Sequence, residues 1–389
     1  MPTLMAPVDC SCLGMYDHSH FVKDCVMAIS FLRALSRLTC SMRIALFLLP
    51  LTSNALTEGD YTYTVSDEQA IITGFNSSYS GPLSITNTLG GYPVTSIQGL
   101  VFVHCDGLTA VTIPNSVGMI GDLAFYFCPH MTNVVIGSGV TNIGNFAFIG
   151  SERLTSVTLP DSVATVGDGA FVGCSSMTNV VIGRSVNSIG EGAFSSPALT
   201  AFSVSEDNSH YSGRDGILFN KEQTALLQYP CRRPGSHYTI PSGVTVIADS
   251  AFRSCEALVG ITIPDSVINI GYKAFSHCRS LTSLTIPCDI TSIGDNAFYY
   301  CTSMTRLFFK GHAPTLGEQV FDYVPATVYY LPGRTNWGTT YGDRPALCWN
   351  PTVQKDASFG FTENRFGFNI ARSEERRVGK ECRSRWAPY

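Results

Sequence analysis

The sequence predicts a mainly β solenoid, with two short strands per 23-residue coil, short turns and a cap at each end. Three observations carry this. A small apolar residue, usually Ala, followed by Phe recurs at a fixed step. Phe102, Phe125, Phe148, Phe171 and Phe194 lie 23 residues apart, and Phe252, Phe275, Phe298 and Phe321 resume the step. Between these markers apolar and polar residues alternate over a few positions, as a strand with one buried face requires. Pro and Gly then punctuate each coil at fixed offsets, where a ladder must stop or a chain must turn.

One coil, Leu108 to Cys128, shows the logic. Leu108, Val111 and Ile113 give a first strand that Pro114 ends, because Pro has no N–H to donate. Val117 and Ile120 form a second, shorter apolar pair, and Gly121 turns the chain. Ala124-Phe125 then places a small and a large side chain in the core, with Cys128 as a small apolar filler. A single coil cannot bury its own faces, so stability must come from stacked neighbours. About ten coils, spaced by roughly 4.8 Å, fit between Val94 and Val324. The nine marker phenylalanines are expected to line one interior column.

The motif L-T-x-V-T-I-P-x-S-V-x-x-I-G-x-x-A-F-x-x-C stands at Leu154–Cys174, Leu258–Cys278 and Leu281–Cys301. It resembles the BspA-type leucine-rich repeat, over about 230 of the 389 residues. The resemblance implies a leucine-rich-repeat solenoid and a place among secreted and surface proteins of bacteria and some protists. It also implies adhesion or protein binding, with no catalytic residues and no cofactor.

Composition bounds the partners. Apolar residues make up 44% of the chain, enough for a sizeable core, while charged residues are 14% and the net charge is −5. No basic run lies within the repeats, so nucleic-acid binding has no electrostatic footing.

The remaining segments fall in order. Residues 1–41 match nothing else in the chain and are expected to be upstream sequence translated from a misplaced start; the other reading is an unusual N-terminal extension. Residues 42–55 have the form of a signal peptide: Arg43, the apolar run Ile44–Leu51, and Ser53-Asn54-Ala55 as a cleavage site. That run is too short to span a bilayer, so no transmembrane segment is expected. Residues 56–93 read as an N-terminal β cap built on Tyr61–Val65, Ala70–Thr73 and Leu83–Ile85. Repeats occupy 94–324, interrupted at 199–240. In that interruption Ser205–Gly213 reads as a polar loop, followed by a strand, turn and strand over Gly216–Tyr229. Residues 325–349 read as a C-terminal cap, and 350–371 as a linker with the truncated start of a further domain. Residues 372–389 resemble a translated sequencing adapter.

Candidate chemistry is sparse. Cys105, Cys128, Cys174, Cys255, Cys278 and Cys301 sit three residues after a marker Phe, a slot also filled by Ser151, Pro197 and Val324. That interchange predicts buried free thiols at a packing position. His104-Cys105 and Cys128-Pro129-His130 form a zinc set by residue type alone, but the position before each Cys varies freely. His277-Cys278 lacks an orienting third group for a nucleophilic pair. Asp122, Asp168, Glu191 and Asp295 recur before the Ala-Phe turn, with Asn145 replacing them once, as capping of backbone N–H groups predicts. No catalytic, metal or cofactor residues are therefore expected, and nothing supports a hydrolase reading.

What remains is the outward face of the first strand. Its candidate ligand-facing residues are Thr112, Asn133, Ser156, Thr158, Asn179, Thr262, Ser283, Thr285 and Arg306. These are mostly small and uncharged, and the lack of aromatic anchors suits weak contacts multiplied along a ladder. The sequence thus predicts a secreted or cell-surface monomer that binds a protein or glycan surface. The alternative is a structural spacer holding a C-terminal domain.

Overall fold

The computed structural model describes residues 55–349, together with the backbone of strands Thr352–Gln354, Gly360–Thr362, Arg365–Gly367 and Asn369–Ala371. The extension at 1–41, nearly all of the signal-like segment at 42–55 and the tail at 372–389 lie outside the described residues.

Residues 81–349 form a stack of coils with two strand ladders. A back ladder runs in parallel register through Tyr92–Ile97, Met119–Ile120, Asn142–Ile143, Thr165–Val166 and Ser188–Ile189. A front ladder is built from the longer strands, beginning with Gly81–Ser84, Leu108–Thr112 and Asn133–Val135. Inward residues such as Val111, Ile120 and Val134 are buried, and their neighbours along the strand point to solvent. Alternation in the sequence becomes a two-faced strand because successive side chains leave a strand on opposite sides.

A third ladder forms at the marker turn, where the sequence showed only a corner. Around Phe125, Leu123 (φ 58°) and Phe127 (φ 53°) are left-handed. Around Phe298, Asn296 (φ 56°) and Tyr300 (φ 59°) repeat the pattern. With left-handed residues two before and two after the marker, every second N–H of the turn points toward the next coil. Leu123 N donates to Asn145 O (2.9 Å), Phe125 N to Ala147 O (2.7 Å) and Phe127 N to Ile149 O (2.9 Å). The intervening groups close locally, with Tyr126 N donating to Leu123 O. A left-handed non-glycine residue costs about 1 kcal/mol, which the extra inter-coil bond offsets. Gly150 (φ 73°) and Gly173 (φ 76°) occupy the same position without that cost.

Close approach explains the Gly that precedes this turn. A Cβ on Gly167 would lie 2.6 Å from the backbone N of Asn145 and 2.7 Å from its side-chain oxygen.

The marker rings stack nearly parallel. Phe102, Phe125, Phe148, Phe171 and Phe194 have successive centroid distances of 4.6, 4.9, 5.1 and 5.6 Å. The single column of nine is corrected to two columns of five. Tyr229 opens the second, followed by Phe252, Phe275, Phe298 and Phe321 at 5.1, 5.1, 5.3 and 5.8 Å. The interruption separates them and divides the hydrophobic core in two. One strand, Ile217–Asn220, serves both cores: Leu218 packs into the first, while Ile217 and Phe219 pack into the second.

The polar loop expected over Ser205–Gly213 is partly strand. Tyr211–Arg214 pairs antiparallel with Ile217–Asn220, through a turn in which Asp215 (φ 53°) and Gly216 (φ 78°) are both left-handed. That is the tight hairpin turn that Asp-Gly favours. Asn208, fully buried, seals the end of the first stack. Its Nδ2 donates to Gly183 O and Val186 O, and its Oδ1 accepts from the N–H groups of His210 and Tyr211. From Ala225–Gln228 a second parallel back ladder continues through Val246–Ile247, Asn269–Ile270, Ser292–Ile293 and Thr315–Leu316.

Aromatic caps close the far end. Trp337 stacks on Tyr330 (4.8 Å), its Nε1 donates to Gly311 O, and Tyr341 OH donates to Pro314 O (2.6 Å). Beyond the solenoid, Thr352–Gln354 pairs with Asn369–Ala371, and Gly360–Thr362 pairs with Arg365–Gly367, both antiparallel.

Candidate functional site

The front ladder presents the predicted residues, in two groups. In the first, Ala110 is in register with Asn133 and Thr112 with Val135. Ser156 is in register with Asn179, and Thr158 with Val181. In the second, Thr239 pairs with Thr262, Ser283 with Arg306 and Thr285 with Phe308. Thr112, Asn133, Ser156, Thr158, Thr262, Thr285 and Arg306 are exposed, whereas Asn179 and Ser283 are half-buried. Among the described residues the front strands pair in four runs, with no pairing from Asn133–Val135 to Ser156–Thr158, from Ala201–Val204 to His237–Thr239, or from Gly260–Thr262 to Ser283–Ile286. The middle break is where the core also divides, and there the strip separates into two faces.

The sequence reading missed the neighbours of the outward Phe308 at the far end of the second face. Phe308 is in register with Tyr329, and Tyr329 with Leu347. The Phe308 and Tyr329 rings stack at 5.3 Å, and the Trp349 ring lies 5.4 Å from Phe308. Leu347 is 50% exposed. This aromatic cluster corrects the expectation of a face without aromatic anchors. The signal was weak: Tyr329 follows Phe308 by 21 residues and Leu347 follows Tyr329 by 18, off the 23-residue step.

Other chemistry-bearing residues are committed to holding the stack. The acids before the Ala-Phe turn do accept backbone N–H groups, but from the equivalent residue one coil on. Asp122 Oδ1 accepts from Asn145 N (2.7 Å), Asn145 Oδ1 from Asp168 N (2.8 Å) and Asp168 Oδ1 from Glu191 N (2.8 Å). Asp295 does the same for Glu318 N. Glu191, beside the interruption, has its carboxyl pushed up by burial first and by Asp249 second. The ladder requires an acceptor oxygen and no charge. Asp168→Asn is therefore expected to unfold at the same urea concentration as the parent chain. Asp168→Ala is expected to lose about 1 kcal/mol. Equal losses in both variants would show that the charge, not the hydrogen bond, matters.

The thiols are similarly engaged. Cys128, Cys174, Cys278 and Cys301 each donate to the carbonyl of the marker Phe 26 residues earlier, at 3.2, 3.4, 3.0 and 3.0 Å. Burial pushes the Cys301 thiol up to about 12, and Cys278 well above the ordinary range. A hydrogen bond to Cys105, and then burial, hold the proton on Cys128. Such thiols carry almost no thiolate at neutral pH, which removes their nucleophilicity. Cys255 departs from the expected free thiol: it forms a disulfide with Cys231, with a Cα–Cα distance of 4.4 Å. Cys231 follows the unrecognised marker Tyr229, so the repeat pattern hid the pairing.

The histidines have packing roles. His104 packs against Tyr126 and Phe127, and His130 Nδ1 lies 2.8 Å from Asp106 O. His277 is buried against Ser276 (2.8 Å) and stacks on Tyr300.

Comparison with known proteins agrees with this architecture. No curated protein matches the chain. Solved structures of similar fold include the pneumococcal vaccine antigen PcpA, with 18% identity over 72% of this chain and 87% of that one, at a TM-score of 0.57. A leucine-rich repeat protein from Eubacterium ventriosum gives 24% identity over 71% and 78%, at 0.56. One from Bacteroides ovatus gives 23% identity over 75% and 76%, at 0.54. These identities speak to the fold alone. Residues 95–214 and 232–336 match the BspA type leucine rich repeat region in six copies. The matched segments stop and resume at the interruption that divides the core, and together they cover more than half of the sequence. The chain belongs to the BspA-type leucine-rich repeat family.

Proposed function

We propose that this chain is a secreted or cell-surface binding module, non-catalytic and monomeric, that engages protein or glycan surfaces through the outward face of its front ladder. The observation that carries the reading is the division of labour among polar side chains. Acids, thiols and turn residues are spent on backbone groups of adjacent coils, whereas Thr112, Asn133, Ser156, Thr158, Thr262 and Thr285 face solvent at regular intervals. Each contact is small, so affinity comes from repetition. The near-neutral face gives nucleic acid no electrostatic hold. Export would use the signal-like segment at 42–55, most of which lies outside the described residues. Among the described residues no helix is long and apolar enough to cross a membrane.

The test uses the full chain, biotinylated and tetramerised on streptavidin, against cultured epithelial cells and surfaces coated with matrix protein or mucin. Retention on at least one surface is expected, with at least a tenfold loss in the double variant Thr158→Glu, Thr285→Glu at unchanged Tm. Binding to none of these surfaces would sink the reading. It would favour the second one, a spacer that presents a further domain, which the antiparallel pairings at 352–371 support.

A further inference from the structure

The far end of the second face differs from the rest of the ladder in charge as well as in ring content. Among the described residues, Arg306 is the one fixed charge at an outward position of the front ladder. Three other cations of the described solenoid are each neutralised by an acid on another coil. Arg184 pairs with Asp161 (3.6 Å), Arg279 with Glu256 (3.5 Å) and Lys310 with Asp265 (2.9 Å). The first two pairs join residues one repeat apart. In the coils on either side Arg306 is in register with Ser283 and with Thr327, neither of them an acid. Its guanidinium is exposed and forms no ion pair among the described residues. A free guanidinium set between hydroxyls has the donor geometry for a carboxylate.

Phe308 is the next outward residue on the same strand, roughly 7 Å along the chain direction. Its ring is braced by Tyr329 and Trp349. That span matches a pyranose ring whose carboxylate lies on one edge and whose C–H groups meet an aromatic cluster. The rings already pack on one another, so little side-chain freedom remains to be lost on binding. Ser283, Thr285 and Thr327 lie within one coil to receive sugar hydroxyls.

We propose that this corner binds a saccharide bearing a carboxylate. The proposal rests on the front ladder being a binding face, and adds the chemical class of its ligand. Two sources share this chemistry: glycans ending in sialic acid, and polymers of uronic acid.

The experiment titrates the full chain with 3′-sialyllactose and, separately, with trigalacturonate, using lactose and the methyl ester of trigalacturonate as uncharged controls. Binding of at least one acidic sugar is expected, weakened by added salt, with at least tenfold weaker binding of the uncharged controls. The acidic arm that binds identifies the source. Arg306→Ala and Trp349→Ala are each expected to weaken binding at least tenfold, while Thr57→Ala, on the exposed first strand Leu56–Glu58 and off the front ladder, leaves it unchanged. Failure of both acidic sugars, or equal binding of acidic and uncharged ones, overturns the proposal. The uncharged controls test it on the parent chain, whatever the folding of the variants. If the tetrameric probe is still retained on cells when both acidic sugars fail, the binding-face reading stands and the ligand class falls.

Discussion

Phe148→Ala is expected to destabilise the first stack by about 4 kcal/mol. The ring lies between Phe125 and Phe171, at 4.9 and 5.1 Å, and is fully buried. Truncation removes the buried area of an aromatic side chain and both of its ring contacts. It also leaves a cavity that cannot collapse, because three hydrogen-bonded ladders fix the spacing of the coils around it. Phe148→Leu keeps most of the volume and is expected to lose less than half as much. Urea unfolding followed by circular dichroism measures both. A loss below about 1 kcal/mol for the alanine variant would show that the ladders hold the stack without the rings. Because each coil touches mainly its neighbours, hydrogen exchange should quicken around residues 119–194 before it changes in the second stack.

The repeat itself could be read from the sequence because each coil solves the same packing problem with the same residues. Phe125, Pro114, Val117 and Ile120 mark the column, the end of one strand and the start of another, and equivalents recur at a constant step. The outward positions followed from alternation once the strands were placed. What stayed hidden lies where periodicity stops carrying information. The left-handed residues beside the marker are Leu123, Phe127, Asn296 and Tyr300, none of them the Gly that would announce such a conformation. Asp122 looks like a local cap in one dimension, yet its partner is one coil away. Tyr229 is a marker without its small neighbour, so the second column could not be extended back to it. Tyr329 and Trp349 join the outward front face only because the last coils shorten, and a fixed step passes over them.

The joint between the two stacks is the place where the repeat physics is weakest. Ring stacking stops at Phe194, whose next aromatic neighbour, Phe202, sits edge-on at 5.9 Å. The junction is held by the shared strand Ile217–Asn220 and by a few bonds across it. These include Arg232 N to Leu199 O (2.8 Å) and Gln228 Nε2 to Phe194 O (3.2 Å). The Cys231–Cys255 bridge ties the returning chain to the first regular coil of the second stack. Closing a loop of sequence separation 24 in the unfolded chain stabilises the native state by about 3 kcal/mol in the chain-entropy account. Cys231→Ser is therefore expected to lose about that much, and to separate one unfolding transition into two, with the second stack melting first. Reducing agent should reproduce the effect in the parent chain and do nothing further to the variant. Hydrogen exchange should then rise over residues 225–263 while the first stack keeps its protection. Identical urea curves for the oxidised and reduced parent would mean that Tyr229 and the shared strand already fix the joint, leaving the bridge without a stabilising role.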